Sequence, residues 1–367
     1  MTALPTRKLE SWRYTDLRAL AAMSFGMPPV LASASALPEL PFPRMVFLNG
    51  VGCAGNAVQS VYAKPFLPDF AVHTQNLAEI NAAQALDGIT IEIPAGEDGE
   101  EILLVSEAQE EEEAFAFHLR HRIKLGENAR LTLVEIDKGT GRYWQNSVFD
   151  IALAQGARLR HFRLQQESTA AFHTTSLFVD VAQDAAYEHF TLTLGARLSR
   201  TEIEANLLGP QALAHLNAAQ LLGGDQHGDF TSIIRHKAPG CPSRQTVKSV
   251  LAGKARGVFQ GRIEVDQVAQ KTDGYQMSQA LLLSADAEMD IKPELQIFAD
   301  DVKCSHGATI GALDEDQVFY LRSRGVPEAD ARQILIRAFL EEALEPVTHD
   351  AARLLFESAL ESWWGRQ

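Results

Sequence analysis

The residues best suited to chemistry lie together late in the chain, in Asp300-Asp301-Val302-Lys303-Cys304-Ser305-His306-Gly307-Ala308-Thr309-Ile310-Gly311. Side chains two apart on a strand share a face, which sets Cys304 beside His306 and groups Asp301 with Lys303. A thiolate and an imidazole together ligate iron or another soft metal. The same pair serves as nucleophile and base in Cys–His hydrolases. Two ligands are too few for a complete metal site, so a cluster held here needs ligands from another chain. The plainer reading is a buried cysteine and a hydrogen-bonded histidine at the end of a β-helix. Asp300-Asp301 invites comparison with carbohydrate-cleaving enzymes, whose two carboxylates flank the scissile bond. Adjacent residues on a strand point to opposite faces and flank nothing, so these acids read as solvated or cap-forming.

A second candidate is the pair His161 and His189, each four residues after an alanine that recurs along the chain. Stacked in adjacent coils, the two form either a metal-binding ladder or a structural stack. His215 is one position out of register. His118 and His121, interleaved with Arg120 and Arg122, read as solvated surface, and the acid run Glu110-Glu111-Glu112-Glu113 as a solvated loop. Neither a GxxxxGK[ST] loop nor a strand-linked GxGxxG is present, so the chain shows no nucleotide site of its own.

The elements that position these residues show through a repeat. Gly126-Glu127-Asn128-Ala129-Arg130-Leu131 matches Gln155-Gly156-Ala157-Arg158-Leu159, then Gln183-Asp184-Ala185-Ala186-Tyr187, then Pro210-Gln211-Ala212-Leu213. The alanines recur every 28, 28 and 27 residues, with a weaker copy near Ala287. Turn residues, a small residue and then alternating large side chains describe a turn entering a strand. A period near 28 suits one coil of a parallel β-helix. A β-sandwich also spaces strands evenly, but with turn signals about every 8–12 residues.

The chain ends differ from this middle. Glu10-Ser11-Trp12-Arg13-Tyr14-Thr15-Asp16-Leu17 opens a short helical region, and Pro28, Pro29, Pro38, Pro41 and Pro43 mark an irregular connection. Short strands follow at Met45-Val46-Phe47-Leu48 and from Ile89 to Ile93. Near the other end Val326-Pro327-Glu328 starts a helix carrying Ile334, Leu335, Ala338, Phe339 and Leu344, which Pro346 breaks. A second helix begins near Thr348-His349-Asp350 and carries Leu354, Leu355, Phe356, Leu360 and Trp363, while Glu341, Glu342, Glu345, Glu357 and Glu361 occupy outward positions. The expected division is a helical and irregular region over 1–95, a β-helix core over 96–312 and a helical domain over 313–367.

Composition excludes several classes. With 48 Asp and Glu against 33 Lys and Arg in 367 residues, the net charge of −15 argues against nucleic acid and against an anionic membrane surface. Cys53, Cys241 and Cys304 form no CxxC pair, which disfavours a thiolate zinc site and a disulfide framework and fits a reducing compartment. No uninterrupted apolar run reaches the roughly 18 residues a membrane span needs, and no secretory pattern opens the chain, so a soluble cytoplasmic protein is expected.

Several longer motifs carry a resemblance. His236-Lys237-Ala238-Pro239-Gly240-Cys241-Pro242-Ser243-Arg244-Gln245, Gly253-Lys254-Ala255-Arg256-Gly257-Val258-Phe259-Gln260-Gly261 and Thr272-Asp273-Gly274-Tyr275-Gln276 resemble the SufB/SufD family of iron–sulfur cluster assembly proteins. So do Ala299 to Thr309, Phe319-Tyr320-Leu321-Arg322-Ser323-Arg324-Gly325 and the N-terminal Glu10-Ser11-Trp12-Arg13-Tyr14-Thr15. The Lys-Cys-Ser-His-Gly-Ala-Thr form places the resemblance on the SufD branch, since SufB chains are longer and carry a scaffold cysteine late in the β-helix. It implies a mainly β fold, a right-handed parallel β-helix flanked by N-terminal and C-terminal helical regions. The implied role is a non-catalytic scaffold subunit of the SUF complex, without catalytic residues. SufB is the implied partner across the β-helices, and the ATPase SufC the partner of the C-terminal helical domain. His306 is the implied ligand of iron or of a nascent iron–sulfur cluster shared with SufB, and Cys304 a weaker candidate. The alternative is a SufB-like homodimeric scaffold that binds the cluster by itself; whether the isolated chain pairs with a second copy as a homodimer is left open by the sequence.

Overall fold

The recurring alanines are corners. In the computed structural model, which describes residues 3–30, 34–35, 40, 42–53, 60, 62–65, 73, 76–85, 87–109 and 113–364, Ala129, Ala157, Ala185 and Ala212 are fully buried. Each donates its backbone N–H to the carbonyl three residues earlier, at 3.0–3.2 Å. A side chain closed in on all sides at such a corner must be small. Cys241 takes the corresponding place one coil further on, its thiol 3.2 Å from the carbonyl of Ala238, and burial pushes that thiol's pKa up. Ala287 differs from the expected fifth copy. It lies at the opposite corner, clustered with Leu222, Leu251 and Ala255.

The strands between corners are β1 (Arg44–Leu48), β2 (Val51–Gly52), β3 (Ala63–Pro65), β4 (Asp87–Ile93), β5 (Asp98–Gln109), β6 (Phe115–Leu125) and β7 (Arg130–Thr140). They continue with β8 (Tyr143–Leu153), β9 (Arg158–Gln166), β10 (Phe172–Val181), β11 (Ala186–Thr193), β12 (Leu198–Leu207) and β13 (Leu213–Leu222). The last six are β14 (His227–His236), β15 (Pro242–Leu251), β16 (Arg256–Val265), β17 (Asp273–Leu282), β18 (Glu288–Ile297) and β19 (Lys303–Gly311). From β6 onward each strand pairs in parallel with the strand two places before it. One sheet therefore runs from β19 through the odd-numbered strands to β5, β1 and β2, and the other from β18 through the even-numbered strands to β4 and β3. The result is a β-helix of about eight turns, each coil holding one strand of each sheet. Coil length is 28 residues at Arg130↔Arg158 but 31 at Ser243↔Gly274, which is why the repeat fades from the sequence after Ala212.

Three apolar layers hold the solenoid. Its interior is filled by inward side chains such as Phe115, Phe149, Leu177, Leu216 and Phe259. The outer face of the odd-numbered sheet lies under two helices, α4 (Glu328–Leu344) and α5 (Asp350–Trp364), where Phe162, Phe190 and Leu192 meet Ile336, Leu340 and Phe356. Strands covered on both faces read as continuous apolar runs, as in Ile102-Leu103-Leu104-Val105. Burying each such side chain contributes about 1.5–3 kcal/mol. The outer face of the even-numbered sheet is covered by the N-terminal segment and α2 (Asn76–Gln84): Trp12, Leu17, Leu20, Leu77 and Ile80 pack on Trp144, Phe172 and Leu198. Trp12 also stacks under the guanidinium of buried Arg200, 3.9 Å from the ring centre.

The terminal helices depart from expectation in two ways. The N-terminal region forms only a 3-10 turn, Glu10–Trp12, and the short α1 (Arg18–Ala21). An unexpected helix, α3 (Glu315–Ser323), precedes α4, and its start was readable from Asp314, whose carboxylate accepts the N–H groups of Asp316 and Gln317. Pro327 does open α4. Ile334 and Leu354, which the spacing groups with the apolar positions, are exposed. Glu110, Glu111 and Glu112, with Pro38 and Pro41, lie outside the described residues.

His118, Arg120 and His121 are buried rather than solvated. α2 roofs their strand on one side, where Asn81 reaches the carbonyl of Leu119, and the core closes the other, where His121 sits between the rings of Phe47 and Phe149. Alternating polar residues betray neither cover. Burial depresses His118, His121 and His236 from 6.5 to about 4. Their neutral forms must therefore be protonated when the chain unfolds in mild acid. Stability should fall as pH drops from 6.5 towards 4, because the unfolded chain binds protons that the folded chain refuses. A pH series of urea unfolding checks this, and His121→Phe should flatten the slope; an unchanged slope would rule His121 out as its source.

Candidate functional site

Cys304 and His306 stand where the solenoid ends. In β19 the positions Cys304, His306, Ala308 and Ile310 lie opposite Gly274, Gln276, Ser278 and Ala280 of β17, all of them buried interior residues. Among the described residues no further coil covers β19, so His306, Ala308 and Ile310 are exposed and Cys304 is half-buried. The other sheet ends alike. Met289, Ile291 and Leu295 of β18 are half-buried, whereas their partners Gly257, Phe259 and Ile263 in β16 are buried. The end of the β-helix is thus its own interior laid open.

Cys304 packs against the buried cluster of Ile263, Val265, Ala269 and Ala299, and a Cβ placed on Gly274 would lie 3.4 Å from its sulfur. Burial raises its pKa, so at neutral pH it rests as a thiol. His306 has no hydrogen-bond partner among the described residues, which leaves both ring nitrogens open to a ligand. A buried cysteine with a hydrogen-bonded histidine is therefore not what is found. Asp300 and Asp301 are exposed in the preceding bend, where the backbone N–H of Asp301 donates to Gln270 Oε1 at 2.9 Å. Among the described residues no three His, Cys, Asp or Glu side chains converge as a metal site. The donor set at the open end is one thiol and one imidazole, chemically suited to iron but half of what four-coordinate iron needs.

His161 and His189 do lie in register on adjacent coils, their rings edge to face with centres 5.1 Å apart. His215 is offset by one position, opposite Glu188. The nitrogens of the pair are committed: His161 to Glu135 Oε2 at 3.0 Å and the Tyr187 hydroxyl, His189 to that hydroxyl and Thr191 Oγ1 at 2.7 Å. They belong to a buried polar network absent from the sequence-based expectations. Arg163 Nε donates to Glu135 at 2.6 Å and its Nη2 to Asp137 at 3.0 Å. His173 Nδ1 lies 2.8 Å from Glu167. Burial disfavours charge on Glu135, yet Arg163 and His161 outweigh it and hold its pKa well below the usual range; burial and the Glu135 charge push Asp137 up. The signal available in sequence was charged residues at inward parity, Glu135 and Asp137 on β7 and Arg163 on β9.

Comparison with known proteins settles the family. The model for "SUF system FeS cluster assembly, SufBD core domain" matches residues 106–339. The chain belongs to the SufBD family. It is 33% identical to the iron–sulfur cluster assembly protein SufD of Escherichia coli, an alignment covering 96% of this chain and 87% of that protein. An iron–sulfur cluster assembly SufBD family protein of Synechocystis is 30% identical over 94% of this chain and 84% of its own length. The chloroplastic protein ABCI7 of Arabidopsis thaliana is 39% identical over 56% of this chain and 43% of its own. This SufBD chain is thus a SufD-like assembly protein of the SUF system. No helix among its described residues is long and apolar enough to cross a membrane.

Proposed function

We propose that this chain is a non-catalytic scaffold subunit that pairs with SufB through the open end of its β-helix. The nascent cluster, or its iron, is cargo held between His306 and ligands from SufB, with Cys304 as an auxiliary donor. The observation that carries this reading is the uncovered last coil. A solenoid end ordinarily needs a polar cap. Here, among the described residues, β18 and β19 each pair on one side only, beside Met289, Ile291, Leu295, Ala308 and Ile310. Unpaired edges with apolar side chains recruit strands of another chain. Pro293 lacks an N–H and interrupts the β18 edge, which limits indiscriminate pairing. A half-complete donor set on a surface that needs covering is suited to a shared site.

SufC docks on the C-terminal helices, where Phe319, Tyr320, Ile334 and Leu354 are 47–70% exposed. ATP hydrolysis then belongs to SufC. The cytoplasm, the compartment of this reading, keeps the three free cysteines reduced.

Co-expression with SufB and SufC tests the proposal. Ile310→Glu plants a charge in the open end, and burying it unpaired costs a few kcal/mol, so SufB recovery should fall more than about tenfold while SufC stays bound. Phe319→Glu should do the reverse. Wild-type recovery of SufB with a folded Ile310→Glu chain would remove the open end from the interface. A homodimer of the isolated chain with a full complement of iron would instead favour a self-sufficient, SufB-like scaffold.

A further inference from the structure

The position opposite His306 holds a side chain that the fold does not explain. Gln276 is fully buried, yet among the described residues neither its Oε1 nor its Nε2 has a hydrogen-bond partner. One strand deeper Gln245 accepts from Ser232 Oγ but leaves its own Nε2 unpartnered. Buried amides are nearly always satisfied, and a leucine would fill the same space at lower cost. Across the interior stands Gly261, where an added Cβ would come 3.0 Å from Gln276 Nε2, so the absence of a side chain there leaves room for the amide.

What Gln276 can serve follows from register. It is the direct partner of His306 in the β17–β19 ladder, on the same inward face. Neighbouring strands lie about 4.8 Å apart, so a rotamer change brings the amide to the imidazole. A histidine that binds a metal through one nitrogen donates the N–H of the other to an oxygen, which fixes the tautomer and the orientation of the ring. While the end is open, water serves His306. Once a partner covers the end, water is excluded and an acceptor must come from the protein.

We propose that Gln276 is a positioning residue for His306: in the covered state its Oε1 accepts the proton of one ring nitrogen and presents the other to the cargo. The inference rests on His306 being the ligand proposed above. It is tested in the complex co-purified with SufB and SufC, using this chain labelled with 15N-histidine. Gln276→Leu should leave the unfolding temperature unchanged or raise it, because an unsatisfied amide is removed. In the iron-free complex the 15N spectrum of His306 should pass from one tautomer to a mixture, and ferrous iron should bind about 10–100-fold more weakly. Gln276→Glu keeps an acceptor and should restore both. A single tautomer in the Gln276→Leu complex, with wild-type iron affinity, overturns the proposal. Loss of iron in His306→Ala but not in Gln276→Leu would sink this inference alone. No loss in His306→Ala would sink the reading of the ligand, and the iron-free tautomer spectrum still decides the role of Gln276.

Discussion

His306→Ala leaves the chain folded and strips the SUF complex of iron retention and cluster assembly: that is the largest functional effect expected of a single substitution here. The side chain is exposed and makes no hydrogen bond to the described residues, so its removal should change stability by no more than about 0.5 kcal/mol. The functional cost should exceed the roughly 10–100-fold that loss of a mere supporting group produces at a metal site. Cys304→Ala should act the other way round. Its side chain is half-buried against the cluster of Ile263, Val265, Ala269 and Ala299 and its thiol rests protonated, so truncation should cost some stability and less assembly. Denaturant unfolding of both variants, beside iron content and cluster maturation of the complex, reads the two effects separately. Normal maturation with His306→Ala would count decisively against the ligand.

The largest effect on stability should come from Arg163→Ala. Arg163 is fully buried and is the cation between the carboxylates of Glu135 and Asp137. Removing one partner of a buried ion pair leaves an uncompensated charge and costs about 3–5 kcal/mol. The loss should shrink in acid, since without Arg163 burial and the mutual repulsion of the two carboxylates are opposed only by the neighbouring His161 and His173, which moves their folded pKa values upward. Protonation below those values then relieves the penalty. Urea unfolding at pH 7 and pH 5 measures both the loss and its pH dependence. A loss under about 1 kcal/mol at pH 7 would mean that the carboxylates are hydrated or already neutral. Adding Glu135→Gln to Arg163→Ala should recover part of the stability.

Much of this was legible in the sequence because a solenoid repeats locally. Corner alanines recur wherever a turn must close without room for a larger side chain, and Ala129, Ala157, Ala185 and Ala212 therefore disclosed both coil length and parallel stacking. Pro327 marked the start of α4 for an equally local reason. The Cys304–His306 juxtaposition needed only strand periodicity. His118 and His121 were misread because their cover comes from other segments, α2 over His118 and the rings of Phe47 and Phe149 around His121. The Glu135–Arg163–Asp137 network was missed since its members come from different coils and look, one strand at a time, like solvated charge.

The sequence by itself determined the β-helix, its family and the Cys304–His306 pair proposed as the cargo site, for these depend on short-range pattern and on motifs. Only the tertiary structure decided that Cys304 and His306 lie on an uncovered end, that Gln276 waits unsatisfied beneath His306, and that charge is buried in the core. Exposure and hydrogen-bond satisfaction depend on what other segments do or do not place over a residue, and no strand records its own cover.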